Sequence, residues 1–155
     1  MYQGLIHLHS LLRWIIIILL IWNILRHFSA GKNPFNATDK KLALYLMISA
    51  HTTLVIGLYQ WFTGSFGLEI IKAVGMGTAM KDSALRFWAV EHITGMLIAI
   101  VLITLAKGVT RKNLSDEKKH TRMAIMFLLA LIIILASVPW PFRSGGMSRP
   151  WFPGM

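Results

Sequence analysis

The chain has 155 residues, of which 55% are hydrophobic and only 14% are charged, and its formal net charge at pH 7 is +10. The charged fraction is far below the value of about 25% that is usual for a soluble domain, so the composition indicates a membrane protein. We expect the lysines and arginines of so apolar a chain to lie beside anionic lipid headgroups, which excludes a nucleic-acid partner. The absence of cysteine excludes disulfides, thiolate metal sites and iron–sulfur clusters.

Four apolar segments follow one another along the chain, and each is close to the length of about 20 residues that crosses a bilayer as a helix. They cover about residues 5–25, 42–62, 85–106 and 123–140. The last is the shortest, because Pro139 and Pro141 end it. We therefore predict an all-α fold in which residues 1–155 form a single transmembrane domain, an up-down bundle of four helices.

The first and third connections carry ten of the 16 basic residues: Arg26, Lys32, Lys40, Lys41, Lys107, Arg111, Lys112, Lys118, Lys119 and Arg122. By the positive-inside rule these connections are cytoplasmic, so both termini face outward from a bacterial inner membrane. Trp61, Trp88, Trp140 and Trp151 then gather at the outer interface as an aromatic belt. Thr38 or Asp39 is expected to cap the second helix, and Ser115 the fourth.

The second connection and the tail differ in character. Apolar residues from Leu68 to Val74 alternate with Glu69 and Lys72, which predicts a short interfacial helix between the second and third spans, ended by Gly75 and Gly77. The tail after the fourth span is rich in glycine and proline, and we expect it to be an irregular outward extension.

Histidines inside the spans are the main candidates for function, because ionisable residues are costly within a bilayer. His9 and His92 enter from the outer surface at similar depth on the first and third helices, which lie diagonally in such a bundle and can face each other. That geometry is typical of a haem with two histidine ligands. His51 lies near the midplane and is a third candidate metal ligand. His7 and His9 are about 200° apart around the helix, so only one of them faces the bundle.

Neighbouring residues fit a porphyrin. Arg13 lies one turn after His9, where it could pair with a haem propionate. Gly95 follows His92 on the same face and would leave a groove for a flat ring. The alternatives are structural: a histidine bonded to a carbonyl or threonine, an Arg13–Glu91 salt bridge, and Gly95 used only for helix packing.

His27 and His120 lie at the cytoplasmic ends of the first and fourth helices. Both have lysines and arginines around them in the sequence. We therefore expect them to be ordinary solvated histidines and not a second site.

The segments HLHSLLRW, SAHTTLVIGLYQWF and RFWAVEHITGMLIAIVLI resemble the small four-helix membrane proteins that are labelled cytochrome B in bacterial genomes. The resemblance extends over most of the chain. It implies haem b held by histidines of the bundle and a part in membrane electron transfer, with His7 or His9, His51 and His92 at the matching positions. The larger cytochromes b use two pairs of histidines at matched depths, and this sequence departs from that pattern.

These observations together predict a membrane protein that binds one haem b per chain and transfers electrons, either linked to quinol or as an anchor subunit. The chain contains no serine–histidine–carboxylate motif and no glycine-rich phosphate loop, which favours a non-catalytic carrier over an enzyme. The alternative is a cofactor-free accessory subunit, whose apolar helical faces pack against a membrane protein partner or a second copy of the chain.

Overall fold

The computed structural model describes residues 2–152, and within them the chain is helical with no β-strand. The elements in chain order are α1 (Tyr2–Ala30), α2 (Ala37–Thr63), α3 (Leu68–Val74), α4 (Met76–Lys81), α5 (Ser83–Arg86), a π-helical segment (Phe87–Glu91), α6 (His92–Val109) and α7 (Asp116–Ser137). The all-α fold expected from the sequence is confirmed.

In the described part of the chain, four helical stretches are long and apolar enough to cross a membrane. They are α1, the run Ala37–Val74 that contains α2 and α3, the run Ser83–Val109 that joins α5, the π-helical segment and α6, and α7. Helix α1 packs on α2 and α7, and α6 packs on the same two helices. This pattern is a four-helix bundle in which α1 and α6 lie on a diagonal, as the sequence predicts.

The core of the bundle is made of side chains that recur every three or four residues on each helix, so that one face of every helix turns inward. Leu20, Leu46, Ile103, Met123 and Phe127 are fully buried there. Large apolar side chains such as Ile18, Leu25 and Val55 cover the outside. An apolar exterior of this kind suits lipid and would be unfavourable in water.

The helix ends differ in detail from those that the sequence predicts. The N-cap of α2 is Asn36, whose side chain accepts from the backbone N–H groups of Thr38 and Asp39. Asp39 completes a capping box by accepting from the N–H of Asn36, so neither Thr38 nor Asp39 is itself the cap. Ser115 is the N-cap of α7, as expected, although its side chain makes no capping hydrogen bond.

Helix α7 ends at Ser137, before the predicted limit of 140. Val138 has φ −72° and ψ 137°, which is extended backbone. Proline disfavours the α conformation in the residue before it, so Pro139 ends the helix one residue earlier than its own position suggests.

The second connection contains the short helix predicted there, divided into α3 and α4 by Gly75, whose φ of +80° requires glycine. Gly77 lies inside α4 and does not end it. The tail is irregular, but the expected outward extension is wrong, because the tail folds back over the bundle. The N–H of Arg149 donates to Pro139 O (3.0 Å), and Trp14 Nε1 donates to Trp151 O (3.1 Å).

Candidate functional site

A cavity of about 440 Å³ lies inside the bundle at the end that holds the start of α1 and the tail. All four spanning stretches contribute to its walls, and Arg149 and Pro150 of the tail close one side. Its volume falls within the range of about 300–1,000 Å³ that is typical of small-molecule and cofactor sites. His9, Arg13 and His92 all line it.

His9 and His92 face each other across this cavity from diagonal helices. Their ring centroids are 6.4 Å apart and the ring planes are inclined by 62°. His92 Nδ1 lies 2.8 Å from Ser137 O. Because a carbonyl only accepts, Nδ1 carries the proton, which leaves the lone pair of a neutral imidazole on Nε2. His9 Nδ1 is buried and has no hydrogen-bond partner within residues 2–152.

The π-helical segment sets the direction of His92. The N–H of His92 donates to Phe87 O, five residues back, where an α-helix would use the fourth. The wider turn accommodates one extra residue, so His92 lies about 100° around the helix from where a continuous α-helix would place it. Hydropathy gives no sign of such a turn, and the sequence reading missed it.

Glycine allows the close approach of α2 to His9. A Cβ atom on Gly57 would lie 3.0 Å from His9 Cε1, which is tighter than ordinary packing allows. The absence of a side chain at Gly57 thus lets the imidazole lie against the backbone of α2.

Two guanidinium groups line the cavity. Arg13 Nη2 donates to Ser10 Oγ (3.1 Å) and to Trp151 O (2.7 Å), while its Nε is buried without a partner in the described part of the chain. The Arg149 guanidinium carbon lies 4.5 Å from the ring centroid of Phe66 and 4.6 Å from that of Trp88. Burial lowers the pKa of Arg149 below its usual value. The sequence reading missed Arg149, because nothing in a glycine- and proline-rich tail indicates that it folds back.

The aromatic residues at this end are fixed by hydrogen bonds to the backbone. Trp61 Nε1 donates to Ala89 O (3.0 Å) and Trp88 Nε1 donates to Gly146 O (3.1 Å). Both rings line the cavity together with Phe66. They give it an apolar rim whose positions are held from α2, the π-helical segment and the tail.

Three other residues singled out from the sequence lie outside the cavity. His7 is exposed, so His9 is the member of that pair that faces inward. His51 is exposed on the outer face of α2, with its Nδ1 2.8 Å from Met47 O. Gly95 faces α7, where an added Cβ would overlap the Ser137 side chain.

The alternative salt bridge between Arg13 and Glu91 is not formed. Glu91 accepts instead from Arg86 Nε at 2.6 Å. Arg13 therefore has no carboxylate partner among residues 2–152.

The expectation that His27 and His120 are solvated is wrong. Both imidazoles are buried, with 2% and 1% of their surface exposed, and their Nδ1 atoms are 2.8 Å apart. Helix α1 continues to Ala30, five residues beyond the predicted end, and its last turns bring His27 onto the inward face.

Comparison with protein-family models, curated proteins and solved structures finds no match to this chain.

Proposed function

We propose that the cavity binds one haem b per chain between His9 and His92, and that the protein transfers electrons within the membrane. The observation that carries this proposal is the pair of imidazoles facing each other at 6.4 Å between centroids inside an apolar cavity. Two metal–imidazole bonds of about 2 Å each, together with the distance from each nitrogen to its ring centre, amount to about 6 Å. The donor pair therefore fits one metal centre.

The hydrogen bond of His92 and the unpaired nitrogen of His9 both support a ligand role. A ligating histidine usually donates its other ring N–H to a carbonyl or carboxylate, which fixes the tautomer and orients the ring. His92 has this arrangement through Ser137 O. An unpaired buried nitrogen costs about 1–3 kcal/mol, so the buried Nδ1 of His9 is better explained if the cavity is filled.

The arginines supply positive charge for the acidic groups of such a cofactor. Arg13 has a buried Nε without a partner among residues 2–152, and the Arg149 guanidinium lies over two adjacent aromatic rings at the rim. Guanidinium groups bind carboxylates through charge-assisted hydrogen bonds, so both are candidates for the propionates. The aromatic rim gives the remainder of the cavity apolar walls.

Haem b supplies one-electron redox chemistry when it is bound. The apolar exterior of the helices keeps the site inside the bilayer, where quinol is dissolved, and quinol is therefore the electron donor that we propose. We infer a bacterial inner membrane with both termini outward, because the basic connections cluster at the end opposite the cavity. Since the chain has no cysteine, single cysteines at 33 and 145 can test this with a membrane-impermeant maleimide: only the second should react in intact cells.

The binding proposal is tested by titrating the purified full chain with hemin in detergent and recording oxidised and dithionite-reduced visible spectra. We expect saturation at about one haem per chain with sharp reduced bands of b type. His92→Ala and His9→Ala should each lose these bands, whereas His51→Ala, which removes an exposed histidine from α2, should keep them.

Two outcomes would refute the proposal. One is a wild-type spectrum in both cavity variants, and the other is no saturable binding to the wild-type chain. The second outcome would favour the cofactor-free accessory subunit, and copurification of a partner in mild detergent would then identify its complex.

A further inference from the structure

A buried cluster of metal-ligating side chains lies at the end of the bundle opposite the cavity. It consists of His27 near the end of α1, Asp39 in the first turn of α2 and His120 near the start of α7. One nitrogen of each imidazole and one carboxylate oxygen all lie within 4.8 Å of one another. The three residues are separate in sequence, so only the packing of three helices brings them together.

The two imidazoles hold each other in an arrangement that requires one shared proton. Their Nδ1 atoms are 2.8 Å apart, so one must donate and the other accept. The Nε2 atoms of both rings are buried without a hydrogen-bond partner within residues 2–152. Unpaired buried polar atoms of this kind destabilise a fold, and they are retained where a site has another use. When the donated proton moves from Nδ1 to Nε2 of its own ring, both Nδ1 atoms present lone pairs, and a metal ion can bind between them.

The carboxylate is oriented by groups outside the cluster. Arg26 Nε donates to Asp39 Oδ1 at 2.8 Å, and the N–H of Asn36 donates to Oδ2 at 2.9 Å. Supporting contacts of this type are usual around metal-ligating carboxylates. Arg26 also offsets the charge of Asp39, so the cluster does not attract cations through net negative charge.

Aromatic side chains cover the imidazoles. The His27 ring is stacked between Phe35 and Phe127, with centroid distances of 6.1 Å and 5.9 Å, and the His120 ring lies 5.2 Å from Phe35. These contacts restrict ring rotation and keep water away. Two nitrogens that bind one tetrahedral zinc at about 2.0–2.1 Å lie about 3.3 Å apart, so the rings need to separate by only about 0.5 Å when an ion binds.

We propose that His27, His120 and Asp39 form a binding site for a divalent first-row transition-metal ion of the zinc type, which ties together the ends of α1, α2 and α7. Imidazole nitrogen with carboxylate oxygen suits zinc, cobalt, nickel and copper. Calcium and magnesium prefer oxygen ligands, and here only one side chain offers them. The site is thus selective for transition metals. It is independent of the haem proposal, because His27 is about 27 Å from His9 along α1 at 1.5 Å per residue.

The test uses the purified full chain in detergent after treatment with a chelator. Titration with Co²⁺ should give visible ligand-field bands that saturate at about one ion per chain, Zn²⁺ should displace the Co²⁺, and excess Mg²⁺ should not. His27→Gln and His120→Gln should each weaken binding by about 100-fold or more, since even losing a supporting contact costs about 10- to 100-fold. His51→Gln, at an exposed histidine, should leave Co²⁺ binding unchanged.

Circular dichroism of each variant checks that it folds. If the buried substitutions unfold the chain, X-ray absorption of the zinc-loaded His9→Gln variant, in which the cavity keeps only one of its two facing imidazoles, replaces them, and scattering from two imidazoles is the expected result. Absence of saturable Co²⁺ binding, binding unaffected in folded His27 and His120 variants, or a zinc spectrum without imidazole scattering would each overturn the proposal.

Discussion

Replacing Gly95 by alanine tests how closely α6 packs on α7. An added Cβ would lie 2.9 Å from Ser137 Cβ and would overlap Ser137 Oγ, so the two helices must shift. Overpacking of this kind costs about 1–3 kcal/mol. Alanine also favours a helix over glycine by about 1 kcal/mol. We expect Gly95→Ala to lower the free energy of unfolding by up to about 2 kcal/mol.

The same substitution should have the opposite effect when Ser137 is replaced by glycine. Ser137→Gly removes both clashing atoms and keeps the carbonyl that accepts from His92. With the clash gone only the helix preference remains, so Gly95→Ala should raise the free energy of unfolding by about 1 kcal/mol in that background. The predicted coupling between the two positions is thus about 1–3 kcal/mol.

Unfolding by sodium dodecyl sulfate in mixed micelles, followed by far-ultraviolet circular dichroism, measures all four proteins of this cycle. Gly108→Ala is the matched control, because Gly108 lies in the same helix and its added Cβ meets nothing within 4 Å. It should not destabilise the protein. An equal effect of Gly95→Ala in both backgrounds would refute the assigned contact.

Two further predictions concern the opposite end and the outer face of the bundle. Asp39→Ala, measured in excess chelator, should lower the free energy of unfolding by about 3 kcal/mol, because it removes partly buried hydrogen bonds from Arg26 and Asn36 to a charged group. Asp116→Ala in the first turn of α7 should cost less than about 1 kcal/mol, and equal losses in the two variants would contradict this reasoning. His51→Ala should change the thermal unfolding midpoint in detergent by no more than a surface substitution does, because the His51 side chain faces outward. If His51→Ala destabilised the protein as much as Asp39→Ala, His51 would have a structural partner.

The number of spans and their order could be predicted from the sequence, because runs of apolar residues of bilayer length have few other uses. The diagonal relation of α1 and α6 followed from the up-down connectivity, and with it the approach of His9 to His92. Depth alone was a poor guide for His51. It follows the buried Ala50 by one residue, which turns its side chain by about 100° toward the outside.

The burial of His27 and His120 was missed although the sequence carries a signal for it. Leu20, Ile24 and His27 follow one another at helical spacing on the inward face of α1, and His120 precedes Ala124 and Phe127 in the same way on α7. The neighbouring lysines and arginines suggested that these turns are solvated, but those residues lie on the other faces of the same turns. The fold of the tail over the cavity had no comparable local signal, since it depends on single hydrogen bonds from Trp14, Trp88 and Arg13.

The π-helical segment before His92 makes the third spanning stretch tolerant of one change in its residue count. Each residue in an α-helix turns the chain by about 100°, but the wider π turn closes its hydrogen bond over five residues where an α turn closes it over four, so the segment absorbs one extra residue locally. Deleting one residue between 87 and 91 would leave the hydropathy and length of the span almost unchanged, and it would let this turn close with α-helical hydrogen bonds. A chain aligned to this one with a single gap at that place could therefore share both its membrane topology and the inward direction of the histidine.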